Sequence, residues 1–352
     1  MTGDEYREFL ARDDLGQVSL YHDPRWLLAV QEGLGMQVAV LGLYAGGALV
    51  GVLPGFTVRK LGVRVFGSPL RGSMTPYLGW VLSRAGLALG SRAVLDAVGT
   101  LGMRRLGCRY AEIGWLAPPG DLARDPADIG WRTAQRQTYM LDLRAGREAV
   151  WSNLGQRTRG KVRKAGKSGI RIEQVNEGEF LDDFFPMVEA SYARHGAVSP
   201  HPKRFYEVLY RELTGAGLMR MFAARYEGRT IAGALVLQDV REARCMSNAS
   251  LPEYHQLYPN NLLHWEIITW ACAAGLERYD FGGKGDSGID RFKETFHPSP
   301  HPYKFFWRAS RPLAVARALL LRTWPGVQRC RLELRRLRGR SPHAPAPVAP
   351  GD

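Results

Sequence analysis

The chain has 352 residues, of which 45% are hydrophobic and 23% charged, a composition typical of a globular protein with enough length for two domains. Its formal net charge is +14, mostly from arginine, which predicts an acidic partner: nucleic acid, an anionic membrane surface or a phosphate-bearing substrate. No stretch reaches the ~20 apolar residues of a membrane span, and the acidic N-terminus lacks a signal-peptide pattern. We therefore expect a cytoplasmic protein without a transmembrane segment.

The cysteines indicate neither a structural zinc site nor a disulfide framework. They stand alone at Cys108, Cys245, Cys272 and Cys330, with no C-x-x-C pair and no histidine at metal-ligand spacing. Scattered cysteines of this kind are typical of buried side chains in a reducing compartment. We expect no metal ion and no tightly bound cofactor.

The first half of the chain reads as a mixture of strands and helices. Asp23 followed by Pro24 is a helix start, since aspartate caps the first turn and proline fits the first helical position. Two apolar runs around Ala45-Gly46-Gly47 predict a hairpin over residues 38–54. The pattern further predicts a third strand at 56–66, a loop at 71–77, a helix at 84–106, and strands at 110–113 and 136–143.

A similar order of elements recurs after residue 145. It begins with a strongly basic helix at 147–168, closed by Gly169. It continues with a strand at 170–175, helices at 180–195 and 205–213, a hairpin around Glu227-Gly228-Arg229, a strand at 244–249, a helix at 262–275 and a strand at 278–281. The repeat predicts an α+β fold of two tandem domains, each a mixed sheet flanked by helices, with a cleft between them. We place these domains at 1–145 and 146–307.

The C-terminal segment is basic. Residues 308–340 carry ten arginines interleaved with leucines, in an amphipathic pattern with a break at Trp324-Pro325-Gly326. Such a segment suits an anionic membrane surface, RNA phosphates, or a charged helix that caps the domain. Residues 341–352 are rich in proline and alanine and are expected to be disordered.

Residues 279–296 are the stretch that most clearly indicates a reactive site. Tyr279-Asp280-Phe281 reads as a strand end, and it is followed by glycines at 282, 283, 285 and 288 and then by Lys293. Glycines let a ligand approach the backbone closely, and a lysine behind such a loop suits anionic or carbonyl chemistry. A flexible hairpin with a solvated lysine remains the alternative.

Four segments of the second half together resemble the FemABX peptidoglycan-bridge aminoacyltransferases and related GNAT-like acyltransferases. They are Arg157-Thr-Arg-Gly-Lys-Val-Arg-Lys-Ala165, the run 230–235, residues 249–266, and Tyr279-Asp-Phe-Gly-Gly283 with Gly288-Ile-Asp-Arg-Phe-Lys293. The resemblance covers about residues 150–306 and is weak over 20–145. It implies two GNAT-like domains and transfer of an acyl or aminoacyl group to a primary amine.

The resemblance also implies roles for individual residues. Lys293 would stabilise the developing oxyanion, with Phe292 shaping the pocket. Arg159 and Arg163, at i, i+4 spacing, would hold phosphates of the donor. The other implied or adjacent substrate-binding residues are Tyr254 near the acceptor, Asn260 and Asn261 at a helix N-terminus suited to an anion, and Arg71 and Tyr77 in the first-half loop for a cell-wall precursor.

Three departures from the family pattern leave donor and acceptor open. Gln256-Leu-Tyr-Pro-Asn-Asn261 stands where ordinary GNAT enzymes carry a coenzyme A pyrophosphate loop. Pro76 replaces an aspartate of the precursor loop, and the long coiled-coil insertion of the family is missing.

The first hypothesis is an N-acyltransferase that uses aminoacyl-tRNA and a peptidoglycan precursor, with tRNA and the inner face of the membrane as partners. The second is an acyl-CoA-dependent N-acetyltransferase in polysaccharide or lipid modification. The third is a non-catalytic GNAT-like adaptor on RNA or at the membrane. No general base is evident in the sequence, so proton transfer is expected to be substrate-assisted.

Overall fold

The computed structural model describes residues 2–60, 62–118, 126–194, 196–284 and 288–339, and these form one mixed sheet flanked by helices. The strands are β1 Gln37–Ala45, β2 Ala48–Lys60, β3 Val63–Ser68, β4 Val81–Leu82, β5 Tyr110–Trp115, β6 Arg132–Asp142, β7 Arg171–Val175, β8 Met219–Tyr226, β9 Arg229–Gln238, β10 Glu242–Ser250, β11 Arg278–Gly283 and β12 Ser299–Ala309. The helices are α1 Gly3–Leu10, α2 Pro24–Leu34, α3 Arg84–Ala88, α4 Ser91–Ala97, α5 Met103–Arg105, α6 Gly146–Asn153, α7 Gln156–Lys167, α8 Phe180–Arg194, α9 Lys203–Leu209, α10 Pro259–Ala273, α11 Gly288–Glu294 and α12 Arg311–Gly339.

Local sequence signals account for many of these boundaries. The side chain of Asp23 accepts a hydrogen bond from the Arg25 backbone N–H at 2.8 Å, and Gly35, with φ of 67°, ends α2. Gly46 and Gly47, with φ of 56° and 81°, form the turn of the predicted β1–β2 hairpin. These predictions are confirmed.

Several predicted elements were wrong in extent. The helix predicted at 84–106 is interrupted at Gly90, whose φ of 80° is unfavourable within a helix, and a π-helical turn at Val98–Gly102 lies between α4 and α5. The third strand predicted at 56–66 is divided between β2 and β3 by a turn at Gly62. The basic helix predicted at 147–168 is two helices, because Leu154 takes an extended conformation with ψ of 137°. The break predicted at 324–326 does not occur, and α12 runs through it.

The two halves of the chain exchange a strand. The sheet order is β1-β2-β3-β5-β12-β6-β11-β10-β9-β8-β7, with β4 paired to β2. Strand β12, which follows the second half in sequence, pairs with β5 of the first half, and β6 pairs with β11 of the second half. Strands β12 and β6 then pair with each other over nine residue positions, Ser299–Trp307 with Met140–Arg132. The α+β prediction is confirmed, whereas boundaries at 145 and 307 remain a prediction.

The halves also share a hydrophobic core. Helix α2 packs on α9, where the Trp26 and Phe205 ring centroids are 6.5 Å apart and both side chains are fully buried. Gly33 permits this contact, because a Cβ atom there would lie 2.6 Å from the Phe205 ring. A groove of about 1700 Å³ remains between the N-terminal segment and the N-terminal ends of β10 and β11. It provides the cleft expected between the halves.

Helix α12 extends from the end of β12. Near its start, Arg317 donates a hydrogen bond to the Tyr110 hydroxyl at 3.1 Å and its guanidinium lies 4.2 Å from the Trp307 ring. Among the described residues, no helix has the length and apolar character needed to cross a membrane. The predicted disordered tail, 341–352, lies outside the described residues.

Candidate active site

A gap between β10 and β11 defines the candidate site. The two strands are parallel neighbours, and their pairing is limited to Glu242–Arg244 of β10 with Arg278–Asp280 of β11. Beyond that point β10 has a bulge between Cys245 and Ser247 and continues along β9, while β11 continues along β6. Within the described residues, the facing edges of the two strands therefore carry no ladder hydrogen bonds toward their C-terminal ends. An open strand edge of this kind can receive the amide or ester groups of a ligand.

Lys293 lies at the C-terminal end of this gap. Its ammonium donates a hydrogen bond to the Gly283 carbonyl at 2.7 Å, and its side chain is 13% exposed. The Asp290 carboxylate is 3.9 Å from Nζ, and the ring centroid of Tyr139 is 5.9 Å away. Burial lowers the pKa of Lys293, although Asp290 opposes this effect. One of the three ammonium N–H groups is committed to Gly283, and the others can serve a ligand.

An aromatic wall stands behind the gap. The ring of Phe292 packs against His264 at 5.3 Å between centroids, and Phe281 stacks on the same imidazole, also at 5.3 Å. Nδ1 of His264 lies 2.8 Å from the Tyr279 hydroxyl. Burial, with a smaller effect from Lys293, lowers the pKa of His264 to about 3. The imidazole is therefore neutral at physiological pH and is shielded from solvent.

The thiol of Cys245 lies at the start of the gap, where β10 has its bulge. Burial raises the pKa of its thiol to about 11, so the thiol is protonated at neutral pH. Burial also raises the pKa of Tyr279 well above its ordinary value. A protonated thiol is a poor nucleophile, and this environment does not favour an acyl-cysteine intermediate.

The basic helix α7 presents different residues on its two sides. Arg159 donates a hydrogen bond to the Ser152 carbonyl at 3.0 Å, and Arg163 lies 5.4 Å from the Trp151 ring, so both predicted phosphate ligands face α6. On the other side, Lys161 and Lys164 lie 5.3 and 5.1 Å from the Tyr258 ring. These two lysines, with Arg157, Gly160 and Tyr258, line an open depression of about 450 Å³. The i, i+4, i+7 spacing of Arg157, Lys161 and Lys164 was a signal in the sequence for this face.

The first turn of α10 offers few groups to an anion. Pro259 has no N–H, and the N–H of Asn261 donates to the Tyr258 carbonyl at 3.1 Å. Asn260 uses its side chain within the fold, donating to Ser250 Oγ at 2.9 Å. Asn261 is 5% exposed, and its Nδ2 has no hydrogen-bond partner among the described residues. The substrate-binding roles predicted for both asparagines stay predictions.

The remaining predicted residues are dispersed. Tyr254 packs beside the β8–β9 hairpin, 5.9 Å from the Tyr226 ring. Arg71 is exposed, and its backbone N–H donates to Glu112 at 2.7 Å. Tyr77 is 1% exposed, and its hydroxyl contacts Glu242 and Arg244 in the N-terminal part of β10. Phe292 and Lys293 are adjacent in α11, and Tyr77 is buried apart from them. The substrate-binding or catalytic roles expected for these residues stay predictions.

The described residues contain no group of three or more histidine, cysteine or acidic side chains arranged to hold a metal ion. The groups that the gap presents to a ligand are the Lys293 ammonium, the aromatic wall and the open backbone edges.

Comparisons with known proteins found similar sequences and similar folds. Residues 152–294 match the acetyltransferase (GNAT) domain family. Over 181 residues the chain is 25% identical to the UDP-N-acetylmuramoylpentapeptide-lysine N(6)-alanyltransferase of Weissella viridescens, a match covering 49% of this chain and 53% of that relative. The chain thus spans about half the length of that relative.

Solved structures show the same fold. The crystal structure of FemX superposes with a TM-score of 0.68 at 16% identity, covering 89% of this chain and 97% of FemX. A tandem GNAT protein from the clavulanic acid biosynthesis pathway matches with a TM-score of 0.53 at 12% identity, covering 84% of this chain and 90% of its own. The fold is therefore a tandem GNAT-like fold. The second half of the chain is thus similar to acetyltransferase (GNAT) domains, and most of the chain shares the fold of FemX.

The buried, neutral His264 predicts a pH-dependent stability. Its pKa is lower in the folded protein than the ordinary value of 6.5, so the unfolded chain binds more protons between about pH 6.5 and pH 3. The free energy of unfolding should fall as pH decreases through this window, by up to about 1.4 kcal/mol per pH unit for this group. Urea titrations at pH 7 and pH 4.5 measure the free energy of unfolding, which should decrease less between these pH values in His264→Gln than in the wild type. An equal decrease in the variant and the wild type would contradict a neutral His264 in the folded state.

Proposed function

We propose that this protein is an N-acyltransferase that transfers an aminoacyl group from aminoacyl-tRNA to an amine of a peptidoglycan precursor. The observation that carries the proposal is the ammonium of Lys293 at the open end of the gap between β10 and β11. A fixed cation beside an open strand edge is suited to an ester carbonyl that gains negative charge during attack. The name of the alanyltransferase relative supports the choice of acceptor.

The chemistry needs no metal and no covalent enzyme intermediate. The amine nitrogen of the acceptor attacks the ester carbonyl of the donor, and the carbonyl oxygen becomes an oxyanion that the Lys293 ammonium stabilises. The C–N bond forms, the ester C–O bond breaks, and the ribose oxygen of the tRNA leaves as a hydroxyl. The proton lost by the amine goes to this leaving oxygen in a substrate-assisted step. His264 does not supply a base in the gap, because its imidazole is enclosed by Tyr279, Phe281 and Phe292.

The distribution of positive charge favours a long polyanion as the donor. The cations near the α10 N-terminus are side chains of α7, namely Arg157, Lys161 and Lys164, spread along an open surface beside the Tyr258 ring. A tRNA acceptor end presents successive phosphates to such a surface, and an aromatic ring can stack on a base. A compact pyrophosphate would instead prefer converging backbone N–H groups.

The match to the acetyltransferase domain family supports a second candidate, an acyl-CoA-dependent N-acetyltransferase that modifies a polysaccharide or lipid. The two candidates differ in what the purified protein binds. At matched salt, the first candidate expects tighter binding of charged than of uncharged tRNA and no saturable binding of acetyl-CoA. Saturable binding of acetyl-CoA, with no preference for the aminoacyl group on tRNA, would favour the second.

We also propose that α12 contacts an anionic membrane surface, where lipid-linked acceptors are found. The helix carries eight arginines and one glutamate, and Val315 and Leu319 are 61% and 56% exposed one turn apart. A basic helix with exposed apolar side chains is suited to the interface of an anionic bilayer. The localisation that follows is cytoplasmic and peripheral to the membrane.

Replacing Lys293 with Met should slow transfer strongly while donor binding persists. Loss of a single oxyanion-stabilising group lowers kcat by about 10²- to 10³-fold. Lys284→Met is the matched control, because Lys284 lies at a similar distance, 5.5 Å, from the Tyr139 ring and is exposed. Single-turnover formation of the amide is the measurement. Full activity in Lys293→Met would remove the proposed role of Lys293, and no activity in the wild type with any donor would support the adaptor hypothesis.

The two sides of α7 should differ in their effect on tRNA binding. Lys161→Gln with Lys164→Gln removes two charges from the depression, and Arg159→Gln with Arg163→Gln removes two from the side that faces α6. The lysine pair should weaken binding and reduce the slope of log K against log salt by about 1.4, or 0.7 for each lost single-strand phosphate contact. The arginine pair should leave that slope near the wild-type value. The reverse order would assign the phosphates to Arg159 and Arg163.

Deletion of residues 311–352 should weaken vesicle binding without unfolding the sheet. The deletion begins after β12, so the pairing of β12 with β5 and β6 is kept. Flotation with vesicles of phosphatidylglycerol, compared with phosphatidylcholine, measures the effect, with an expected loss of about 1 kcal/mol of binding for each arginine near the surface. Unchanged flotation of the shortened protein would show that α12 is not the contact.

A further inference from the structure

A cluster of buried charges lies where the two halves meet, close to the candidate site but outside it. Arg244, on β10, has 7% side-chain exposure and forms ion pairs with Glu242 at 2.5 Å and with Asp280 at 2.7 Å. From the first half, the rings of Tyr21 and Tyr77 lie 5.1 and 4.7 Å from its guanidinium. Burial alone would lower the pKa of Arg244, but Asp280 and its other neighbours hold it above its ordinary value.

The carboxylate of Asp280 is the member of this cluster that reaches toward the site. Its side chain has 0% exposure, and a fully buried carboxylate is costly unless each oxygen has a partner. Oδ2 is paired with Arg244. Oδ1 accepts hydrogen bonds from Thr138 Oγ1 at 2.5 Å and from the Gly282 backbone N–H at 2.6 Å.

The bond to Gly282 connects the cluster to Lys293. Gly282 has φ of 89°, a left-handed conformation that glycine adopts without steric cost, and the Asp280 side chain closes the turn across it. The carbonyl of the next residue, Gly283, accepts the hydrogen bond from Lys293 at 2.7 Å. The orientation of that carbonyl therefore depends on the turn that Asp280 closes.

We propose that Asp280 is a positioning residue: its carboxylate, held by Arg244, fixes the Gly282–Gly283 turn and thereby holds the Lys293 ammonium at the open end of the gap between β10 and β11. The consequence for catalysis rests on the proposed function. The effect of Asp280 on the position of Lys293 is independent of that function and can be measured without any substrate.

A purely structural role for the cluster makes a different prediction. Glu242 contacts the same arginine through the same type of ion pair but has no contact with Gly282 among the described residues. If the buried charges serve only stability, Asp280→Asn and Glu242→Gln should alter the protein in the same way. If Asp280 positions Lys293, only Asp280→Asn should alter the reactivity of that lysine.

The experiment is competitive labelling of lysine amines with trace acetic anhydride across pH 6–10, read residue by residue by mass spectrometry, on the full chain. In the wild type, Lys293 should label slowly relative to the exposed Lys167, because its side chain is mostly buried. In Asp280→Asn, release of the turn should raise the relative labelling of Lys293 severalfold and change its pH midpoint. Glu242→Gln should retain the wild-type profile. An unchanged Lys293 profile in folded Asp280→Asn, or equal changes in both variants, would overturn the proposal.

Gly282→Ala provides a second test if Asp280→Asn fails to fold. A Cβ at position 282 would meet only the Cys245 carbonyl oxygen at 3.8 Å and Lys293 Nζ at 3.9 Å, so the substitution strains the turn and leaves the ion cluster intact. It should reproduce the faster labelling of Lys293, and a wild-type profile would contradict the proposal.

Where transfer is measurable, both variants should lower kcat by about 10- to 100-fold with little change in the KM of the donor, as expected for a misplaced catalytic group. Labelling that responds as expected without any detectable transfer in the wild type would instead count against the proposed function alone.

Discussion

The exchange of one strand between the halves is the constraint on which the rest of the structure depends. Because β12 completes the sheet of the first half and β6 that of the second, neither half contains all of its own sheet. The long antiparallel pairing of β6 with β12 fixes the relative orientation of the halves along the middle of the sheet. It also places β11, which carries Asp280 and the Gly282–Gly283 turn, directly beside β6. The pairing of β6 with β12 and with β11 thus fixes the position of the candidate site.

The junction also explains why charged groups are buried next to the site. Tyr21 and Tyr77 come from the first half, whereas Glu242, Arg244 and Asp280 come from the second, and all five are buried where the halves meet. A buried ion pair is weak evidence for stability, since desolvation offsets much of the attraction between the charges. The cluster does fix the arrangement of its side chains, because the contacts of each side chain restrict the orientation of its neighbour.

Local structure was largely predictable from the sequence, while contacts between distant segments were not. The cap at Asp23, the glycine turn of the first hairpin and the repeat of elements all rest on signals within a few residues, and they predicted the α+β class. Strand β12 gave no such signal, since Pro300 and Pro302 disfavour a central strand. Its place is decided by partners more than 150 residues away.

Contacts between distant segments of the candidate site were likewise not predictable from the sequence. Lys293 and Phe292 were predicted together because they lie in one motif, and their roles stay predictions. Arg159 and Arg163 were predicted from the family resemblance, and the sequence did not show that Lys161 and Lys164 face Tyr258. Tyr77 was expected in a loop that binds the cell-wall precursor. It is buried, and its hydroxyl contacts Glu242 and Arg244 of β10, 165 and 167 residues later in the chain.

The proposed choice of donor rests on the groups that could hold an anion near the C-terminal ends of β10 and β11. A helix N-terminus binds a compact anion through several fixed N–H groups, but α10 begins with a proline and uses the Asn261 N–H in its own first turn. The nearby positive charge is carried by lysine side chains of α7, which are flexible and spaced along the helix. Flexible, spaced cations lose more entropy in gripping one small pyrophosphate than in following a chain of phosphates. This difference is the reason why the proposed function takes an extended nucleic-acid donor rather than coenzyme A.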